Sequence, residues 1–207
     1  MKTISVIAPM KDESALVGQF CDEVFRQFAK VSGHYELELV LVDDGSEDDT
    51  LVKMKAIQQE NSETVSIVEL TRNFGLEGAI YAGLTVAKGD AVVVMDADLQ
   101  DPPAVILELL SEWENGNDVV VAARKSRPSD TFLKKATAFI FYQIFHKSGE
   151  KYVTEKNAAN FRLLSRKVVE KLLALDEVNK TFRLQVPFVG MKTQVIHYER
   201  DARFAGK

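Results

Sequence analysis

The stretch VVVMDADLQDPP, Val92 to Pro103, decides how this chain is read. An apolar run that asks for burial stops abruptly at Asp96, Asp98 and Asp101, with Pro102 and Pro103 behind it. Carboxylates placed together repel, and each loses hydration when a strand carries it inward. Such a strand end either faces water or gathers its acids around a cation. Hard oxygen ligands from Asp96, Asp98 and Gln100 suit Mg²⁺ or Mn²⁺, which keep water and substrate phosphates as their other ligands. Asp101 is expected only to cap a helix led by the proline pair.

Working outward, the same pattern recurs. TISVIA (3–8), LELVLV (37–42), VSIVEL (65–70), AVVVM (91–95) and DVVVAA (118–123) are β-branched runs without strict alternation, as in strands buried on both faces of a parallel sheet. Helical patterns separate them. Leu16, Phe20, Val24 and Phe28 repeat every four residues, with Val17, Cys21 and Phe25 alongside. Further helices are predicted at 49–60, 76–88, 103–115 and 165–175, and a late strand at 193–199. Alternating strands and helices imply βαβ units and a doubly wound sheet. Beyond about residue 124 the alternation fails, leaving one α/β domain with a C-terminal elaboration.

Each strand delivers polar residues to its carboxyl end, where ligands bind in open α/β sheets. These are Pro9, Asp12 and Glu13; VDDGS (42–46); TRNFG (71–75); DADLQD (96–101); and ARKSR (123–127). The phosphate cradles G-x-G-x-x-G and G-x-x-x-x-G-K-[ST] are both missing. A bound diphosphate would therefore need a cation to offset its charge.

Bulk properties narrow the classes. The chain has 207 residues and a formal net charge of −5, which gives no basic excess for nucleic acid. One cysteine, Cys21, excludes an internal disulfide or a cysteine zinc site and reads as a small buried residue. His34, His146 and His197 are too scattered for zinc. No run approaches the roughly 18–20 apolar residues that span a bilayer.

ISVIAPMKDES, LVLVDDGSEDDT, LTRNFGLEGAIYAGLTVAKGDAVVVMDADLQDPP, NFRLLSRKVV and YERDARFAGK together resemble the family 2, GT-A-fold glycosyltransferases. The likeness is to the polyprenyl-phosphate group in particular, that of dolichol-phosphate mannose synthase and bactoprenol glucosyltransferase. It implies a Rossmann-like, mostly parallel sheet flanked by helices, with a C-terminal helical and strand elaboration. It implies a single domain over 1–207, with a nucleotide-sugar half (1–124) and an acceptor and membrane-proximal half (125–207). It also implies Mg²⁺ or Mn²⁺, a nucleotide-sugar donor, inverting transfer to a polyprenyl phosphate, and work at the cytoplasmic membrane face.

Residue by residue, the resemblance assigns Pro9, Asp12, Glu13, Asp43, Asp44, Arg72, Asn73 and Asp96 to the nucleotide sugar. Asp12 stands where the family usually has Asn. Asp96, Asp98 and Gln100 fall to the metal. Arg124, Arg127, Arg200, Arg203 and Lys207 fall to the acceptor phosphate. Asn160 departs from the pattern, because the family's catalytic-base aspartate is replaced by a side chain that takes no proton. A phosphate monoester, with its second pKa near ~6, is already largely a dianion at neutral pH and needs no base. Asn160 can then orient it.

Family members continue into transmembrane helices after the basic tail motif, so the resemblance predicts a membrane part that lies beyond this sequence. The aromatic segment 131–147 reads either as a core or oligomer helix or as an interfacial helix, with Phe132, Phe139, Phe141, Tyr142 and Phe145 toward lipid. Three other readings stay open: a saccharide acceptor, a nucleotide-sugar-binding pseudoenzyme, and a phospho-receiver domain. The last fits poorly, since its acid pair should follow the first strand rather than the second.

Overall fold

The computed structural model describes residues 1–125, 158–177 and 181–199. The described strands form one sheet in the order β3-β2-β1-β4-β6-β5-β7. They are β1 (Lys2–Met10), β2 (Tyr35–Asp43), β3 (Val65–Glu69), β4 (Ala91–Val94), β5 (Val119–Arg124), β6 (Ala158–Ser165) and β7 (Thr193–Tyr198). All neighbours are parallel except β6, which runs antiparallel to both β4 and β5.

The helices divide between the two faces. On one side α1 (Val17–Ala29), α2 (Thr50–Glu60) and α4 (Val105–Glu114) cover Ile4, Val6, Leu39, Leu41, Val93 and Leu163. On the other, α3 (Gly75–Val86), α5 (Arg166–Leu173) and α6 (Phe182–Phe188) cover Ile7, Val40, Val42, Val92, Val94 and Leu164. Successive strand residues point to opposite faces, and both faces are covered, so β4 is apolar throughout and β1 nearly so, with Ser5 its buried exception. Each fully buried Val, Leu or Ile contributes roughly 1.5–3 kcal/mol. The helical stripe of α1 buries Val17, Phe20, Cys21, Val24 and Phe28, as its four-residue repeat requires. Burial pushes the Cys21 thiol up to about 12, in keeping with a packing role.

Two segments differ from the sequence reading. β6 was not anticipated, because AANFRLLS carries Asn160 and Arg162 in an otherwise apolar strand, and both are buried. The proline pair does not occupy the first turn of α4, which starts at Val105. Instead the carbonyls of Pro102 and Pro103 accept the N–H groups of Val105 and Ile106, both at 3.0 Å, forming a lead-in turn.

The crevice opens at a defined point. The carbonyl of Ile7 accepts the Met95 N–H at 3.1 Å. Alternation makes Pro9 the next residue of β1 to face β4, and it has no N–H to continue the ladder. Pairing with β2 runs on to Met10 and Asp43. β1 and β4 therefore part at the position where strand order reverses, the usual binding crevice of a doubly wound sheet.

Candidate active site

Three turns meet beside that crevice. After β1, Asp12 takes a left-handed backbone (φ 54°), which Asn and Asp tolerate better than other side-chain-bearing residues. The Asp12 for Asn departure thus preserves the turn. Its Oδ1 accepts the Glu47 N–H at 2.8 Å, and its Oδ2 pairs with Lys11 at 3.1 Å. The Glu13 N–H donates to Thr50 Oγ1 at 2.9 Å. Pro9 is buried, level with Val42.

After β2, Asp43 and Asp44 are nearly inaccessible, at 2% and 5%. The Asp43 carboxylate receives the Ser46 N–H at 3.3–3.4 Å. Asp44 receives the N–H groups of Phe74 at 2.7 Å and Gly75 at 3.0 Å. Asp44 therefore positions the R-N-F-G turn, with both oxygens already accepting backbone donors. Gly45 (φ +67°) lies against that turn so closely that a Cβ would stand 2.5 Å from the Arg72 carbonyl carbon. Arg72 and Asn73 are exposed. The Arg72 guanidinium lies 4.1 Å from the Phe74 ring centroid, and Asn73 Oδ1 accepts the Gly75 N–H at 2.8 Å.

After β4 come the acids. Asp98 Oδ1 accepts the Gln100 N–H at 3.0 Å across Leu99, whose φ of 56° is rare for so bulky a residue. Asp96, Asp98 and Gln100 are all half-buried. Burial raises the Asp96 carboxyl pKa, as do the neighbouring charges of Asp101 and Asp98, against the opposing pull of Arg124 and Arg183.

Asp101 corrects an expectation: it caps no helix. It is fully buried, receives Arg124 Nη2 at 3.0 Å and receives the Tyr198 hydroxyl at 2.5 Å. The cap position of α4 belongs to Ala104, with no side-chain cap bond. Burial works against the Arg124 charge, and the hydrogen bonds to Asp101 and Tyr198 outweigh it, so the guanidinium pKa is raised. Burial and then the Asp101 bond likewise push the Tyr198 phenol up.

Asp96 and Asp98 crowd one another, since the Asp98 charge helps raise the Asp96 pKa. Among the described residues no three His, Cys, Asp or Glu side chains form a preformed metal cage. The pair therefore fits a divalent ion that completes its shell with Gln100, water or substrate oxygens.

β6 contributes Asn160, 1% exposed, whose Oδ1 accepts Arg183 Nε at 3.1 Å. Arg162 lies one alternation further along, 4.9 Å from the Phe182 ring centroid. Burial and the Arg183 charge lower its pKa to about 10, with Glu77 opposing. Glu77 also accepts the Phe182 N–H at 2.6 Å, fixing the start of α6 against α3. Tyr198 and Arg183 were missed by sequence reasoning. The alternation of TQVIHY, with Ile196 and Tyr198 inward and His197 outward, carries a signal for the first. Nothing local marks the second.

Arg127, Arg200, Arg203, Lys207 and the aromatic segment 131–147 lie outside the described residues. Among the described residues no helix is long and apolar enough to cross a membrane.

Comparison with known proteins agrees with this architecture. The profile for Glycosyl transferase family 2 matches residues 5–173. A prophage bactoprenol glucosyl transferase homolog from Escherichia coli (strain K12) is 38% identical over 203 residues, 98% of this chain and 65% of its own length. The bactoprenol glucosyl transferase of Shigella phage SfV is 39% identical over the same shares. The chain thus spans just under two thirds of the curated relatives it matches.

Among solved structures, a mannosyltransferase from Pyrobaculum calidifontis in complex with GDP-Man and Mn²⁺ superposes with a TM-score of 0.65 at 20% identity, covering 94% of this chain and 54% of that one. Glucosyl-3-phosphoglycerate synthase from Mycobacterium tuberculosis, in complex with Mn²⁺, UDP and phosphoglyceric acid, gives 0.64 at 19%, covering 99% and 72%. The fold is GT-A, as the sequence resemblance implied. The chain belongs to glycosyl transferase family 2.

Proposed function

We propose that this chain is the sugar-transferring part of an inverting glycosyltransferase that moves a hexose from a nucleotide sugar to a polyprenyl phosphate at the cytoplasmic membrane face. The observation that carries it is the meeting of two unlike sides at one crevice. The segment after β4 brings the Asp96 and Asp98 carboxylates, and the neighbouring β6 brings Asn160, bonded to Arg183 of α6, whose charge acts on Asp96. The names of the curated relatives support bactoprenol as the acceptor lipid and glucose as the sugar. The solved neighbours with nucleotide sugars support a donor of that class.

In this reading residues 1–124 handle the donor and 125–207 the acceptor. Pro9, Asp12, Glu13 and Asp43 line the base and ribose, Arg72 and Asn73 flank the sugar nucleotide, and Asp44 fixes their turn. Asp96, Asp98 and Gln100 would hold Mg²⁺ or Mn²⁺, which when bound would neutralise charge on the departing diphosphate. A phosphate oxygen of the acceptor attacks the anomeric carbon on the face opposite the diphosphate. The new C–O bond forms as the bond to the diphosphate oxygen breaks, which inverts the centre. The dianionic acceptor carries no proton at the attacking oxygen, so Asn160 needs only to orient. Arg124, Arg127, Arg200, Arg203 and Lys207 are assigned to acceptor phosphate and membrane surface.

The test is a screen of nucleotide sugars against a short-chain polyprenyl phosphate in Mn²⁺, read by product mass. A hexosyl phospholipid is expected from the native chain, with transfer at least ~100-fold lower for Asp98→Ala. Sugar appearing on saccharides and on no lipid phosphate would overturn the acceptor assignment.

A further inference from the structure

The acids between β4 and α4 sit on a segment that belongs to no helix or strand. Its shape comes from three fastenings. Asp98 Oδ1 accepts the Gln100 N–H at 3.0 Å. Leu99, 8% exposed, packs into the core from a left-handed backbone of φ 56°. Asp101 is fully buried and gripped by two side chains, Arg124 Nη2 on Oδ2 at 3.0 Å and the Tyr198 hydroxyl on Oδ1 at 2.5 Å. A backbone so rare for Leu persists only where its surroundings over-determine it. The grip on Asp101 supplies that constraint two residues downstream.

The grip comes from far across the sheet. Both β6 and β5 stand between β4 and β7, and Tyr198 is the last residue of β7. Its ring is buried and meets Phe161 of β6 edge-on, with centroids 5.9 Å apart and planes at 76°. The hydroxyl also accepts Arg124 Nε at 3.3 Å, so Tyr198, Arg124 and Asp101 close a ring of hydrogen bonds. Arg124 therefore spends Nε and Nη2 inside the protein.

We propose that Tyr198, acting through Asp101, is a positioning residue for the metal ligands and holds Asp98 and Gln100 where they can share one divalent ion. This rests on the assignment of Asp96, Asp98 and Gln100 to Mg²⁺ or Mn²⁺ in the proposed function. Asp101 follows Gln100 directly, so a shift of its carboxylate moves the Gln100 backbone and, through the bonded N–H, Asp98 Oδ1. Groups one step behind metal ligands orient them, and their loss commonly costs about 10- to 100-fold in metal affinity.

The 207-residue chain and its variants Tyr198→Phe, Asp101→Asn and Tyr81→Phe are titrated with Mn²⁺ in the presence of UDP, and separately of GDP. Free Mn²⁺ is followed by its paramagnetic resonance signal, and urea midpoints report that each variant is folded. Tyr198→Phe leaves every charge in place, so it changes position alone. It is expected to weaken Mn²⁺ by about 10- to 100-fold. Asp101→Asn should weaken it at least as much, because the counter-charge of Arg124 goes too. Tyr81→Phe removes a hydroxyl bonded to Gln185 on the other face of the sheet, and should keep native Mn²⁺ affinity. In turnover by Tyr198→Phe the apparent Mn²⁺ constant rises by the same factor, and kcat at saturating Mn²⁺ is kept.

Native-like Mn²⁺ affinity in Tyr198→Phe or Asp101→Asn overturns the proposal, and so does an equal loss in Tyr81→Phe. A fall in kcat that saturating Mn²⁺ does not restore gives Tyr198 a different task and overturns it too. A native chain that holds no Mn²⁺ with either nucleotide removes the metal assignment and the proposal together. Mn²⁺ binding that depends on Tyr198, with no sugar moved from any donor, supports the positioning role and refutes the transferase reading.

Discussion

The Asp44 carboxylate holds the N–H groups of Phe74 and Gly75, at 2.7 and 3.0 Å, so the turn after β2 ties down the turn after β3. Asp44→Ala would strand two backbone donors in a partly buried turn, at a cost of about 1–3 kcal/mol each where water cannot replace the carboxylate. Asp44→Asn keeps one good acceptor and should lose less. Urea denaturation ranks the three proteins, and an Asp44→Ala midpoint equal to the native one would contradict the tie.

Gly45 faces the same turn from below. Gly45→Ala places a methyl group against the Arg72 backbone and forces a side chain into φ +67°. The left-handed backbone alone costs roughly 1–2 kcal/mol, before the clash. The expected result is a lower melting temperature together with weaker nucleotide binding, since Arg72 and Asn73 must shift. Loss of stability with unaltered nucleotide affinity would remove the turn from the donor site.

Asp96 gives a pH dependence with a definite sign. Its folded-state pKa is raised, by burial first and then by Asp101 and Asp98. The folded state therefore holds the proton longer than the unfolded chain. The associated stability is full below the ordinary carboxylate pKa and is lost as pH rises through the raised value. Asp96→Asn should accordingly stabilise the metal-free protein at neutral pH and have little effect in acid. Mn²⁺ should raise the native melting temperature more at neutral pH than at acid pH and leave Asp96→Asn nearly unmoved. Thermal scans with EDTA or Mn²⁺ across pH 4 to 8 check each sign.

Tyr198→Phe removes the hydroxyl that donates to Asp101 at 2.5 Å and accepts from Arg124 at 3.3 Å. A fully buried carboxylate would lose one of its donors, at a cost of about 1–3 kcal/mol. Asp101→Asn with Tyr198 retained should cost at least as much, because Arg124 then loses its counter-charge. Equal stability for both variants and the native chain would refute the buried triad.

Much of the scaffold is legible in the sequence because burial on both faces writes unbroken apolar runs. β1, β2, β3, β4 and β5 each fall within two residues of the expected span. The acids of VDDGS and DADLQD are likewise visible, since each ends a run that burial has already marked. The illegible parts depend on partners distant in sequence. β6 hides because Asn160 and Arg162 spend two inward positions on polar side chains. Asp101 looks like a helix cap until β7 brings Tyr198 to it from 97 positions away. α6 hides because it has only 7 residues and carries Pro187 in its last turn.

The reversed strand also governs how the molecule can be assembled. Among the described strands β6 alone bridges β4 and β5, yet it lies later in the chain than both. A fragment ending at Arg124 would leave β4 with an open edge and β5 with no neighbour in the sheet. Exposed edges of that kind invite pairing with other chains. The segments before and after Arg124 are thus not separate units of folding. On the ribosome, the edge of β4 stays unpaired until the strand carrying Asn160 has been made.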